Sequence, residues 1–390
     1  MEHSALVVGG GVAGLAAAIA LTRTGWDVTV LERSEELGEI GAGFAMSRNA
    51  VAAFRGLGFG ADDVAALGSA TRAEGTWARD GRPILTIHDD AATTDAVALI
   101  GVHRRRVHRA LLDRARRAGV KIVPGTSVTT LTPGEPGGAR AVVAGREADL
   151  VIGADGMRSA VRAALFSTGA VYSGYSSWRA ITARTADETT LRQYWGPQAE
   201  FGIMPVSENE TYWYGYVAMP ARTRIADELG AARGRFAGWA APVRRILAGT
   251  APEAVLRHDV YHLPGGLPRY TSGRVVMIGD AAHGFLPTMG QGVATALEDG
   301  LCVGLLVGSP VAAGGLLAPA LAGFDRARRP RCRALGRASV LSARIGAHLG
   351  AGLRQPVRNA LMRLTPPGAI NRGADAAMGW TPPEPAAPVR

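Results

Sequence analysis

Residues 5–32 read ALVVGGGVAGLAAAIALTRTGWDVTVLE, and the order of residue types in this stretch decides the fold. Ala5-Leu6-Val7-Val8 is a short apolar strand, and Gly9-Gly10-Gly11-Val12-Ala13-Gly14 fits G-x-G-x-x-G. A helix follows, with apolar Val12, Leu15 and Ile19 and a stop at Gly25. Gly9 permits the tight turn, Gly11 lets a pyrophosphate approach the backbone, and Gly14 lets helix and strand pack closely. The helix N-terminus offers free amides and positive potential to an anion, so Gly9, Gly11, Val12, Ala13 and Gly14 are candidate cofactor contacts. A second strand, Asp27 to Leu31, ends at Glu32, 21 residues past Gly11. A carboxylate there accepts hydrogen bonds from ribose hydroxyls and repels a 2′-phosphate. The expected ligand of this unit is FAD or NAD, not NADP.

Two later stretches extend the pattern. Residues 150–162, LVIGADGMRSAVR, place Asp155 in a turn between an apolar strand and a helix. Residues 274–299, RVVMIGDAAHGFLPTMGQGVATALED, give a buried strand, a Gly279-Asp280 turn, a Pro/Gly loop and another helix. An aspartate at a strand's C-terminal end suits a polyol such as a ribityl chain. Gly290-Gln291-Gly292 then delivers free amides at the N-terminus of the helix beginning near Val293, placed to stabilise negative charge on a reduced flavin.

Aromatic residues mark a second unit. All eight tyrosines lie between 172 and 270, together with four of the seven tryptophans. Alternation over Thr211–Ala218 puts Tyr212, Tyr214 and Tyr216 on one face of a strand and Trp213 on the other. The expected architecture is α/β: a Rossmann-like FAD-binding domain (1–75, 100–170 and 271–330), interrupted by an antiparallel β-sheet substrate-binding domain (76–99 and 171–270). A helical segment at 331–365 and a Pro-rich, largely extended tail at 366–390 complete it. His258 and His262 are spaced as metal ligands on a helix would be, but their segment reads as a strand without an acidic cluster, so no metal is expected.

On these three motifs, in this order, residues 4–365 resemble the single-component FAD-dependent aromatic monooxygenases of the para-hydroxybenzoate hydroxylase type, nearest the salicylate, 3-hydroxybenzoate and urate hydroxylase branch. The resemblance implies that Glu32 and Arg33 hold the ADP half with the glycines. It also implies contacts from Ala42 and Gly43, from Arg104 near the pyrophosphate and ribityl chain, and from the Val128 backbone to adenine. Asp155 falls in the motif linked with FAD and NAD(P)H, Asp280 in the ribityl motif, and Pro287, Gly290, Gly292 and Val293 among the isoalloxazine contacts. Ser47-Arg48-Asn49 stands where Trp-Pro-Asn or similar is more usual, and Gly284 follows His283. The implied chemistry is reduction of FAD by NAD(P)H, addition of O2 as a flavin C4a-hydroperoxide, and transfer of one oxygen atom to an aromatic or polycyclic small molecule. Hydroxylation is the expected outcome; epoxidation, or an oxidase or dehydrogenase on the same fold, is the alternative. Arg179, Tyr212, Tyr214 and Tyr194 are the candidates to orient or ionise the substrate.

Composition agrees and excludes. Apolar residues are 47% and charged residues 19% of 390, and two cysteines, Cys302 and Cys332, are too few for a disulfide framework. The uncharged run Leu301–Phe324 has the length of a membrane span, but Pro310, Pro319 and five glycines divide it into two short helices. With no basic region before the first apolar run, a cytoplasmic enzyme is expected. The net charge of +10 raises a nucleic-acid reading. Much of the excess falls on Arg104–Arg117 and Arg326–Arg344, helical stretches that read as solvated faces with some steering of a dinucleotide. A flavin halogenase would carry Trp-x-Trp-x-Ile and a catalytic lysine; Lys121, the sole lysine, lies in a predicted strand. Whether the enzyme is a monomer or a homodimer stays open.

Overall fold

The computed structural model describes residues 3–38, 42–87, 97–185, 188–385 and 387–389. Two sheets organise them. In the first, strands Thr271–Ser272, Val275–Met277, Leu150–Gly153, Ser4–Val8, Asp27–Leu31 and Lys121–Val123 lie side by side in that order. All joints are parallel except the outermost, Thr271–Ser272 on Val275–Met277. Strands covered on both faces read as apolar runs rather than as an apolar–polar alternation. Leu150–Gly153 and Val275–Met277 are accordingly buried throughout.

Helix Val12–Thr22 is buried from Val12 to Leu21, so it is apolar on every side, as a helix enclosed by other elements must be. Its companion is helix Gly292–Val303. Added Cβ atoms would lie 2.5 Å from the Ala16 Cβ at Gly300 and 2.6 Å from the Ala20 Cβ at Gly304. The matching order Ala16 to Gly300 and Ala20 to Gly304 shows that the two helices run parallel, backbone against backbone. Both N-termini therefore emerge at the same end of the parallel sheet.

The second sheet has nine strands. Its path runs Leu256–His262, Val171–Ala183, Glu210–Ala218, Ala199–Pro205, Leu191–Gly196, Gly68–Ala78, Ala98–His103 and Gly43–Ser47, with Pro83–Thr86 paired to Gly68–Ala78. The sequence predicted an antiparallel sheet, and every joint but one is antiparallel. Leu191–Gly196 pairs parallel with Gly68–Ala78; these strands come from distant stretches of chain, so no hairpin sets their direction. The sheet also draws in Gly43–Ser47 and Ala98–His103 from beside the first sheet. Its outer face, with Trp178, Tyr194, Phe201 and Trp213, packs on helices Glu228–Arg235 and Ala241–Ala248 through Phe236, Trp239 and Ile246.

Two expectations need correcting. The run from Leu301 does fold as two helices about a turn, but they are not short: the first helical stretch covers Gly292–Ala312 and is mostly buried. The turn falls at Gly314-Gly315, after which a single helix runs Leu317–Ile345. Pro310 is tolerated because it directly follows the π-helical turn Gly304–Gly308, where the hydrogen-bond ladder is already shifted. The tail is likewise not all extended. Pro367–Met378 is a helix, because Pro366 and Pro367 sit at its start and Pro382 beyond its end. It is tied down by an Arg48–Asp375 ion pair and by the Arg331 guanidinium on the Ala377 carbonyl at 2.9 Å. Both cysteines are buried and unpaired.

The parallel helix contact yields a prediction. Gly300→Val drives methyl groups into the Ala16–Ala17 backbone; overpacking of this kind costs about 3 kcal/mol. Urea unfolding should show a lower midpoint with an unchanged slope.

Candidate active site

The glycine loop leaves Ser4–Val8 with Gly9 at φ +108, a conformation that favours glycine. A Cβ on Gly14 would lie 1.9 Å from the Gly9 carbonyl oxygen, whereas nothing lies within 4 Å of a Cβ on Gly11. Gly14 is thus demanded by packing, and Gly11 keeps open the space in front of the helix N-terminus. Glu32 accepts the Gly10 amide at 2.7 Å and the Ser34 amide at 2.9 Å, which fixes its carboxylate beside the loop. His108, buried on helix Arg104–Arg117, lies 2.8 Å from the Gly10 carbonyl oxygen and braces the loop from behind. Arg33 is exposed one residue past Glu32. Val128 packs on the same core, and its loop is joined to the second strand by the Thr126 amide on the Glu32 carbonyl at 2.8 Å.

Asp155, in the turn that the resemblance links with FAD and NAD(P)H, has a task within the fold. Its carboxylate turns into helix Ala160–Leu165, accepting the Ser159 hydroxyl and the amides of Ala160 at 2.7 Å and Val161 at 3.1 Å. This capping shapes the turn that presses on Gly9. Buried Arg162 ties that turn to the next motif, donating to the carbonyls of Met157 and Ala281. Asp280 differs from Asp155. Its residue is exposed, and no hydrogen bond to its carboxylate is formed among the described residues.

The Pro287–Met289 turn ends at Gly290 with φ +63, and helix Gly292–Val303 starts directly after Gln291. Nothing lies within 4 Å of a Cβ on Gly290 or Gly292. The amides of Gly292 and Val293, first in the helix, have no intrahelical acceptor. Two helix N-termini therefore stand together, one behind Gly11 and one behind Gln291, with Glu32 and Asp280 as the flanking carboxylates. This arrangement accepts an anion at each amide cluster and sugar hydroxyls at the acids.

Beneath these loops lies a polar network inside the core. Asp299 accepts the Gly279 amide at 2.9 Å, the His283 Nε2 at 2.6 Å and the Arg328 Nε at 2.7 Å. Glu298 takes Arg328 and Arg331, each at 2.7 Å, and the Asn49 amide at 2.7 Å. Asn49 also reaches Gln291 at 3.0 Å and Ser47 at 2.6 Å. Burial alone would raise the Asp299 carboxyl, but His283 and Arg328 hold it at about 2. Ser47, which departs from the usual pattern, and Asn49, which keeps it, thus brace Gln291 of the loop. His283, Asp299 and Cys332 bring donor atoms within 4.8 Å of one another, yet Asp299 is already neutralised by Arg328.

The inner face of the second sheet supplies the other wall. Register places Arg179 opposite Tyr214 and Tyr214 opposite Gly202, and Tyr212 lies on the same face by alternation. The Tyr212 ring covers Gly43, where a Cβ would come within 2.5 Å of it; the sheet therefore meets the first unit beside Ala42, whose carbonyl accepts the Arg104 amide at 3.0 Å. Burial pushes the Tyr212 phenol up, while Arg179 and Arg104 pull it down. Tyr194 does not join them. It packs on the outer face with Trp77 and the covering helices, because it stands one position out of phase with Gln193. A residue that the sequence reading missed does join: Glu200, 3% exposed, accepts the Tyr214 hydroxyl at 2.5 Å and the Gln193 amide at 3.0 Å. Burial pushes its carboxyl up to about 7 against the pull of those hydrogen bonds.

A parallel sheet with paired helix N-termini, flanking acids and an aromatic second sheet is the arrangement of a dinucleotide-binding enzyme. The FAD binding domain family matches residues 2–315, and the chain belongs to that family: it is an FAD-dependent monooxygenase acting on aromatic compounds. It is 35% identical to aurachin C monooxygenase/isomerase from Stigmatella aurantiaca, over 75% of this chain and 78% of that protein. It is 33% identical to 3-amino-4-hydroxybenzoate 2-monooxygenase from Streptomyces cremeus, over 83% of each. The structure of Klebsiella pneumoniae HpxO complexed with FAD and uric acid is similar at a TM-score of 0.84 and 26% identity, covering 96% of both chains.

Two substitutions separate cofactor binding from folding. Gly11→Val meets no neighbour, so the protein should fold with an unchanged circular dichroism spectrum and yet purify without flavin absorbance. Asp299→Asn leaves a protonated His283 without its carboxylate and strips Arg328 of one of its two, Glu298 remaining; the cost is ~3–5 kcal/mol, and the unfolding midpoint should fall sharply. Because the Asp299 carboxyl is depressed in the folded state, its contribution is present above pH ~4 and is lost as pH falls towards 2. The gap between wild type and variant should close over that window.

Proposed function

We propose that the protein consumes NAD(P)H and O2 to hydroxylate an aromatic or polycyclic small molecule held between the flavin-binding loops and the Arg179, Tyr212 and Tyr214 face. The observation that carries this reading is the packing of Tyr212 on Gly43, which sets the aromatic face of the second sheet beside the cofactor-binding unit. Within the proposal, Gly9, Gly11, Gly14, Glu32 and Val128 hold the adenosine and pyrophosphate half of FAD. Arg104, Asp280, Pro287, Gly290, Gly292 and Val293 hold the flavin half. When bound, FAD supplies the redox chemistry, accepting a hydride from NAD(P)H and activating O2.

The chain's own groups then have separate tasks. Arg179, which has no acidic partner among the described residues, orients an anionic or carbonyl oxygen. Tyr214 faces the ring and passes a proton from a ring hydroxyl or N–H to Glu200, whose elevated pKa suits acceptance near neutral pH. Gln193, 2.8 Å from the Tyr214 hydroxyl, fixes that phenol's direction. The apolar walls exclude water, which keeps activated oxygen from being lost as H2O2. A quinolone, an aminophenol or a purine presents a suitable donor, and the relatives' names carry aurachin, aminohydroxybenzoate and urate.

The test is a substrate screen scored by stimulated NAD(P)H oxidation, product mass and oxygen-18 from O2, with NMR separating hydroxylation from epoxidation. Products lacking oxygen-18 would instead make the enzyme an oxidase or dehydrogenase. With a responding substrate, Arg179→Ala should weaken turnover at least ~tenfold, in keeping with one lost charge-assisted contact. Glu200→Gln should remove a rate limb that rises through pH ~7 in the wild type. Stability gives an independent check. Glu200 has a raised carboxyl in the folded state, so its effect is unfavourable above that pKa. Glu200→Gln should be the more stable form at pH 8, by up to ~3 kcal/mol, and the gap should shrink towards pH 5.

A further inference from the structure

The outer side of the C-terminal helices carries charged and apolar side chains to which the proposed function assigns no task. Between Arg326 and Ala374 there are eleven of the chain's 43 basic residues and none of its 33 acids, leaving 32 bases against 33 acids everywhere else. The whole positive excess therefore belongs to one segment. Part of it is internal: Arg328 and Arg331 belong to the buried network, and Arg329 pairs with Asp325. Arg337, Arg344 and Arg354 are exposed and have no acidic partner among the described residues.

The same segment holds most of the exposed bulky apolar side chains. Six of nine among the described residues are Leu341, Ile345, Leu353, Val357, Leu361 and Leu364. Their spacing is ordered. Arg337, Leu341, Arg344 and Ile345 follow i, i+4, i+7, i+8 on the helix Leu317–Ile345. Leu353, Val357, Leu361 and Leu364 follow i, i+4, i+8, i+11 along Arg354–Arg363 and its flanks. That second helix is inverted: Leu353 is 84% exposed while Arg358 is 8% exposed, with Gln355 and Asn359 half-buried on the inner side. Arg358 donates to the Ile345 carbonyl at 2.5 Å, joining the second helix to the end of the first. A helix that turns leucines outward and polar groups inward exposes apolar area that water disfavours.

We propose that this face docks the enzyme on an anionic lipid bilayer, with the leucines entering the headgroup boundary and the arginines meeting lipid phosphates. Charge complementarity selects this occupant. A stripe of leucine rimmed by arginine without acids suits an anionic interface, while a second copy of the same face would oppose arginine with arginine.

The test uses the FAD-loaded protein and sedimentation with vesicles of phosphatidylcholine, with or without phosphatidylglycerol. It should sediment with the anionic vesicles, release in high salt, and stay in solution with phosphatidylcholine alone. Leu353→Gln with Leu361→Gln should weaken binding more than ~tenfold, and Arg337→Gln with Arg344→Gln roughly fivefold per arginine, at unchanged flavin content. Failure to sediment with anionic vesicles at low salt overturns the proposal. So does light scattering that shows a dimer which the leucine pair converts to monomers, since the face would then join two copies.

Discussion

The buried ion network around Asp299 is the constraint on which the rest of the site depends. One carboxylate holds the Gly279 amide, the His283 ring and the Arg328 guanidinium, and its neighbour Glu298 gathers Arg328, Arg331 and Asn49. Charges buried this deeply stabilise only while every partner remains, and removal of one is far more costly than the pair's net worth. The network therefore acts as a specification. It sets the distance between the Gly279-Asp280 turn and the Gln291 loop, and it locks the long C-terminal helix to both. The residues that would touch a flavin are backbone amides and small side chains with little hold on their own positions.

The glycines show a division of labour between packing and ligand. Gly14, Gly300 and Gly304 are required because another backbone or alanine occupies the space of their Cβ atoms. Gly11 and Gly292 face open space that a ligand can fill, while Gly290 is required by its left-handed φ of +63. The second sheet adds a wall of opposite character, with one cation, three phenols in a row and a protonatable acid.

Much of this was legible in the sequence, and the reason is local. The strand–glycine–helix order with Glu32 in phase, the Gly279-Asp280 turn and the alternation at Tyr212 to Tyr216 are short-range patterns, each written in a few neighbouring residues. What was misread depended on distant partners. Tyr194 belongs to the outer face because register sets it opposite Phe201 on one side and Trp77, far earlier in the chain, on the other. Glu200 sits in an apolar strand and was passed over, although an acid between Ala199 and Phe201 is itself a signal that a buried partner awaits it. The same clue stood at Glu298-Asp299, an acidic pair inside an otherwise uncharged helix, and it pointed to Arg328.

The strand order has a consequence for how the chain comes into being. The first sheet begins at Ser4 and is not complete until Val275–Met277, while the second draws strands from Gly43 to His262. Each sheet thus waits for segments that lie beyond parts of the other. During synthesis the strands Ser4–Val8, Asp27–Leu31, Lys121–Val123 and Leu150–Gly153 can pair once residue 153 has emerged, but the free edge of Leu150–Gly153 stays open until Val275–Met277 follows. Such long-range pairing folds slowly and leaves edges open to aggregation. Separating the cofactor half from the substrate half by truncation would leave two open sheets rather than two domains.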